Sequence, residues 1–299
     1  MRVFIKTDMH GFPETETDYT AWQGFQELGF KPIFYSTEKE LTDCRPDDLI
    51  VGGVSTITRK MNEYGIQISE YDYPEELSGF LGRKVWNDTL EGILSKQEQW
   101  PVFVKPVKDK VFVGFVLRSE KDVPRRRQAK SDEPVLCSEL VNFTTEWRAF
   151  IRYGNIWDVR PYRGDWRNHF DPEVLEKAVR SFKSAPAGYA MDIGITEKGQ
   201  TLLVEINDGF ALGCYGADPI QYAKLLSARW CELAGIHDDC DIYLEAVDWK
   251  KQKQLVRQEY RAACSEAREY LAIRENIASL YDAERRENAD RKKRKEQER

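Results

Sequence analysis

The chain has 299 residues, of which 41% are hydrophobic, 12% aromatic and 32% charged, and its formal charge is −6. That composition belongs to a globular protein and excludes a disordered, a collagen-like or a transmembrane-bundle chain. Its longest strongly apolar run, Val111 to Leu117, is broken by Gly114 and falls far short of the roughly 18 residues that span a bilayer.

A scale of about 150 residues per domain predicts two domains or one large one. Arg2 and Lys6 flank a short Val3-Phe4-Ile5 with no apolar stretch of signal-peptide length, so the expected location is the cytoplasm, with no membrane partner. Six cysteines (Cys44, Cys137, Cys214, Cys231, Cys240, Cys264) form no CxxC and the three histidines are isolated. Neither a zinc site, a disulfide framework nor HExxH chemistry is indicated.

The charge is unevenly spread. Lys250 to Arg299 holds 15 basic and 10 acidic residues, a net of +5, which leaves −11 on the first 249. An acidic body is poorly suited to neutralising phosphates, so nucleic acid is not an expected partner of the body. The basic run Arg291 to Lys295 reads as a solvated helix end, and is the one place for nucleic acid to engage.

Residues 1–75 read as a small α/β unit. Strands are expected at Arg2–Lys6, Lys31–Tyr35 and Asp48–Val51. Helices are expected at Thr17–Leu28, closed by Gly29, and from a Ser55 cap through Met61 to Tyr64, closed by Gly65. Alternating strands and helices predict a parallel sheet. Gly52-Gly53 reads as a tight turn rather than a dinucleotide fingerprint.

The stretch from about 76 to 245 is strand-rich and predicts an antiparallel α+β region. Strands are expected at Val102–Lys105, Val111–Leu117, Val135–Leu140, Trp147–Arg152, Trp157–Pro161, Tyr189–Ile195 and Thr201–Ile206, with helices at Asp88–Leu94, Pro172–Phe182 and Pro219–Leu233. From Trp249 the chain has no Pro or Gly and predicts one long helix. Its seam is Val256, Tyr260, Ala263, Ala267, Tyr270, Ile277 and Tyr281, interrupted by Arg274. Small and aromatic residues make that seam a weak coiled coil, suited to docking on the body, on a protein partner or on a second copy.

Four features carry chemistry. Pro101-Val-Phe-Val-Lys105-Pro106 ends a buried strand in a lysine that can act as a point charge on polyphosphate. Lys84 precedes a helix that Asn87 or Asp88 can cap. In Ser138-Glu139-Leu-Val141-Asn-Phe-Thr-Thr-Glu146-Trp147-Arg148 one strand ends in a carboxylate and the next opens with another. The link offers backbone groups to an adenine edge, and Glu146 suits paired ribose hydroxyls. Asp192 lies within an apolar strand and, across a hairpin turning near Lys198-Gly199, comes opposite Glu205 and Asn207, which share a face by the two-residue period of a strand. A carboxylate buried there needs a cation or a basic partner, and three converging oxygen donors suit Mg²⁺.

In the order and spacing of these residues the chain resembles the ATP-grasp superfamily of carboxylate–amine ligases, over about residues 1–245. The resemblance implies a pre-ATP-grasp α/β domain at 1–75, an ATP-grasp domain of two α+β lobes at 76–245, and a charged helical tail at 246–299. It implies ATP and Mg²⁺ as cofactors, with Lys84 and Lys105 on the nucleotide phosphates, Glu139 and the Val141 backbone on adenine, Glu146 on ribose, and Asp192, Glu205 and Asn207 on the metal. The arginine that the family often places two residues before the metal-binding Asp is here Ala190, so Arg148, Arg160 and Arg163 are the candidate catalytic cations.

The implied reaction activates a carboxylate by phosphoryl transfer from ATP and joins it to an amine on a small molecule, peptide or protein. A lid over such a site is expected at Lys108–Gly114 or Pro124–Glu133, where Arg125-Arg126-Arg127 lies. The loop Asp208–Gly216 is expected to line the acceptor site, with Cys214 not serving as a nucleophile. The competing expectation is a nucleotide-binding regulator or a scaffold acting through the tail.

Overall fold

The computed structural model describes residues 1–240 apart from Glu70, Asp72, 108–110 and 124–131, together with Arg257, Gln258, Ala262, Ser265, Glu266, Glu269 and Ala272, which are helical and exposed. The seam residues of the expected tail helix, Cys264, Lys108–Lys110 and Arg125-Arg126-Arg127 lie outside the described residues. The chain divides into two units, Met1–Asp241 and Ile242–Arg299. Among the described residues no helix is long and apolar enough to cross a membrane.

The first unit opens with β1 (Val3–Lys6), α1 (Glu16–Glu27), β2 (Ile33–Tyr35), β3 (Leu49–Val51) and α2 (Val54–Glu63). The three strands form a parallel sheet in the order β2-β1-β3. Thr15 and Asp18 close a capping box on α1. The cap of α2 is Gly53 and not Ser55, because the helix begins at Val54, directly after the Gly52-Gly53 turn. Asp48 enters β3 with its carboxylate fully buried. It accepts from Arg2 N at 3.1 Å, Arg2 Nε at 3.0 Å and Arg45 N at 3.0 Å.

A second, antiparallel sheet of order β4-β7-β5-β6 follows. It comprises β4 (Val85–Thr89), β5 (Val102–Pro106), β6 (Phe115–Leu117) and β7 (Pro134–Ser138), with α3 (Leu90–Ser95) after β4. The helix expected from Asp88 starts at Leu90 with Thr89 as its cap, and the residues before it form β4 instead. Trp86, Asn87 and Asp88 pair with Cys137, Leu136 and Val135, so tertiary pairing overrides the local capping signal. The apolar run from Val111 becomes strand only at Phe115, since Val111–Gly114 is irregular. Leu90, Ile93, Val102, Val104, Leu117, Val135 and Cys137 form this lobe's core.

The third sheet has order β11-β10-β8-β9 and is antiparallel throughout, made of β8 (Phe143–Arg152), β9 (Asn155–Gly164), β10 (Gly188–Thr196) and β11 (Thr201–Asp208). One face buries Trp147, Ala149, Ile151, Met191, Ile193 and Leu203 against α4 (Pro172–Ser181). On the other face α5 (Pro219–Ala234) covers one end, where Tyr222 meets Phe150 edge to face. Helix α1 crosses α5 so closely that a Cβ on Gly24 would lie 1.9 Å from the Pro219 carbonyl oxygen, so this crossing requires glycine.

Burial alone would raise the Asp48 carboxyl, but the bonds from Arg2 and Arg45 hold it below the ordinary aspartate range. A depressed folded value stabilises the fold above the unfolded pKa. Asp48→Asn is therefore expected to cost about 2 kcal/mol at neutral pH, with the gap to wild type closing as pH falls below about 4. Urea unfolding of both proteins across pH 3–7 checks it.

Candidate active site

The uncovered end of the third sheet faces the second sheet's lysine. Register brings three charges side by side: Asp192 on the central strand β10 stands opposite Arg148 on β8 and opposite Glu205 on β11. The hairpin between β10 and β11 turns through Gly199, whose φ of 74° is in the left-handed region. Asn207 pairs with Ala190.

A bulge sets which side chains face the cleft. After Asp192–Glu205 the register jumps to Ile193–Leu203, leaving Val204 as the extra residue. Leu203 and Ile206, three apart, therefore both enter the core, while Glu205 and Asn207 face the cleft. Arg83 grips this bulge. Its guanidinium donates to Leu203 O and Val204 O, each at 2.7 Å, and to Ser138 Oγ at 3.0 Å, so one side chain joins the edge of β11 to the end of β7. Arg83 and the adjacent Lys84 carry no local signal that distinguishes them.

Arg148 and Asp192 form a buried bidentate pair, Nε to Oδ1 and Nη2 to Oδ2, both at 2.7 Å, with side chains 7% and 2% exposed. Burial pushes the Asp192 carboxyl upward, and the two bonds from Arg148 oppose that shift. Asp192 also accepts from Asn207 Nδ2 at 3.1 Å. Glu205, about one-third exposed, takes Lys105 Nζ at 3.1 Å, and that ammonium lies 4.8 Å from the Tyr73 ring centre.

Glu146, on the same face as Arg148, is held by Tyr162 Oη at 2.7 Å and by Arg163. Tyr162 is pushed far above the ordinary phenol range by burial and by Asp192 and Glu146, so it stays a hydrogen-bond donor. Tyr162 stacks on Tyr215, centroids 5.0 Å apart, and Arg148 lies 4.7 Å from the Tyr215 ring. The period-two pattern of β9 did not single out Tyr162.

The predicted residues thus fall into two groups, with Arg160 apart from both. Lys105, Glu146, Arg148, Arg163, Asp192, Glu205 and Asn207 form one connected cluster. Lys84, Glu139 and Val141 lie at the β4 and β7–β8 junctions, where Glu139 Oε2 accepts from Lys84 N at 2.9 Å and the Lys84 ammonium lies 5.4 Å from the Trp86 ring. Arg160 is tied to Asp158 on its own strand, at 2.8 Å. Cys214 is buried, bonded through its N to Thr17 Oγ1 at 3.3 Å and touched by Thr20, so it packs the 208–216 loop onto α1. Among the described residues no three His, Cys, Asp or Glu side chains form a metal cluster. Of the three expected metal donors, Asp192 and Glu205 are carboxylates and Asn207 is an amide.

Two antiparallel lobes with lysine and carboxylates facing each other define an ATP-grasp fold, and the comparisons agree. Residues 80–225 match the family model described as ATP-grasp domain, R2K clade family 2, so the chain carries a domain of the ATP-grasp superfamily. The fold is shared with N5-carboxyaminoimidazole synthetase from Staphylococcus aureus, at 12% identity and TM-score 0.52 over 79% of this chain and 77% of that one. It is shared also with the D-cycloserine synthetase DcsG, at 10% identity and TM-score 0.52 over 77% of this chain and all of the other. No curated protein matches the sequence significantly.

Truncating Arg148 strands a buried carboxylate. Arg148→Ala is expected to destabilise the protein by about 3–5 kcal/mol, and Arg148→Ala with Asp192→Leu to recover part of that loss. Denaturant unfolding of the two variants checks it.

Proposed function

We propose that this chain is an ATP- and Mg²⁺-dependent ligase that joins a carboxylate to an amine and releases ADP and phosphate. In this proposal 1–75 is a pre-ATP-grasp domain, 76–245 holds the nucleotide between its lobes, and 246–299 is a helical tail that serves partner choice or oligomeric state. The observation that carries it is the Asp192, Glu205 and Asn207 donor set facing Lys105 across the cleft.

The donor chemistry fits the metal. All three residues offer oxygen, the preference of a small hard cation that keeps waters and phosphate oxygens as its other ligands. Asn207 gives its amide N–H to Asp192, which leaves its carbonyl oxygen for an ion. A bound Mg²⁺ would supply charge neutralisation to the triphosphate. Lys105, held by Glu205, is the residue we assign to the phosphates, with Lys84. Glu139 and the Val141 backbone are assigned to adenine, and Glu146 to the ribose.

Of the three arginines, Arg148 is engaged by Asp192 and acts by holding that carboxylate in place. Arg163, with a side chain 64% exposed, is the cation best placed to reach a substrate, while Arg160 is paired with Asp158. Phosphoryl transfer makes small covalent demands on the protein and large demands on position and charge, which a cluster of fixed cations and carboxylates meets. The substrate carboxylate oxygen bonds to phosphorus as ADP leaves. The amine nitrogen then bonds to the acyl carbon as phosphate leaves.

Purified protein is expected to form ADP in a Mg²⁺-dependent way, with the rate raised by the right acid and amine from a panel of amino acids and peptides. Glu205→Gln is expected to keep the fold by circular dichroism and to lose about 100-fold or more of that turnover. Near-wild-type turnover in this variant would remove Glu205 from the site. ATP binding without turnover under every pair would favour a nucleotide-binding regulator.

A further inference from the structure

Tyr162 is the extra residue of a second bulge. Arg163 pairs with Glu146 and Pro161 with Trp147, which leaves Tyr162 without an opposite position on β8. A bulge of this kind re-aims successive side chains. Here both Tyr162 and Arg163 reach Glu146, on its Oε2 and Oε1 respectively. The same phenol oxygen lies 2.7 Å from Glu146 Oε2 and 3.4 Å from Asp192 Oδ2. A phenol has one proton to donate, and at these distances Glu146 receives it.

The Tyr162 ring is packed in this position. Tyr215 stacks on it, with an interplanar angle of 22°, and has a φ of 44°, a conformation that non-glycine residues rarely adopt. The neighbours of Tyr215 hold it there: Leu212 O accepts from Tyr222 Oη at 2.6 Å, and Cys214 N donates to Thr17.

We propose that Tyr162 is a positioning residue that couples the ribose of a bound nucleotide to the metal-holding carboxylate. Ribose hydroxyls that donate to Glu146 take over its demand for a proton and free the Tyr162 hydroxyl to donate to Asp192. A ligating carboxylate oriented by such an outer hydrogen bond binds its metal more tightly. The inference rests on the assignment of Glu146 to ribose and Asp192 to metal made above. Coupling of this kind is reciprocal, so it is readable from the metal side without turnover.

The test is calorimetric titration of the full chain with ATP and with 2′,3′-dideoxy-ATP, each across a Mg²⁺ series. The two nucleotides carry the same triphosphate, so metal chelation in solution cancels in the comparison. Wild type is expected to show a Mg²⁺ midpoint about fivefold lower with ATP than with the dideoxy analogue. Tyr162→Phe keeps the ring and its stack and is expected to erase the difference. Tyr215→Ala, which leaves the hydroxyl but removes its support, is expected to shrink it. Equal midpoints in wild type with both nucleotides bound, or an undiminished difference in Tyr162→Phe, would overturn the coupling alone. Wild-type protein that binds no ATP would overturn the nucleotide assignment and this inference together.

Discussion

A carboxylate in the middle of a central strand is the constraint around which the third sheet is arranged. Asp192 has Met191 and Ile193 as chain neighbours, both in the apolar core, and is itself 2% exposed. An ion buried so deeply is tolerable only with a hydrogen-bonded counter-ion. Arg148 meets that need from the adjacent strand, in direct register and with both of its parallel N–H groups. The aromatic rings of Tyr215 and Tyr162 flank the guanidinium and keep water from the pair.

The same rule extends outward, with weaker pairs where water enters. Partly exposed Glu205 is answered by Lys105 from the opposing sheet, buried Glu146 by the exposed Arg163 and by Tyr162, and Glu139 by the backbone of Lys84. The cleft is thus nearly self-neutralised. Under the proposed function a nucleotide entering it would compete for cations already engaged by carboxylates, and its metal would share Asp192 with Arg148. The partly exposed pairs are the ones that can exchange partners at small cost, because surface ion pairs are worth little. The buried pair stays.

Two bulges convert an ordinary antiparallel sheet into this site. The one at Val204 lets Leu203 and Ile206 face the core together and turns Glu205 and Asn207 to the cleft. The one at Tyr162 lets two consecutive residues converge on Glu146. Both interrupt the period of two on which reading a strand depends. Arg83, which takes the carbonyls of Leu203 and Val204, satisfies backbone groups on the edge strand that would otherwise need water.

Much of the architecture was legible in the chain because its signals are local. Gly29 and Gly65 end helices, the Pro172 and Pro219 helices begin where proline allows, and alternating strands and helices at the start specify a parallel sheet. The pairing of Asp192 with a strand bearing Glu205 and Asn207 was legible too, from spacing across a short turn. Other features were not. Strand β4 was hidden by the helix cap beside it, since only pairing with β7 selects an extended backbone there. Arg148 as the counter-ion of Asp192, Arg83 as the clasp on β11 and Tyr162 as the link from Glu146 toward Asp192 each join residues at least 16 positions apart. A lone arginine or tyrosine in a strand carries no mark of which partner it will meet. Register and bulges decide that, and both are set by how the sheets bury their apolar faces, which is a property of the folded chain as a whole.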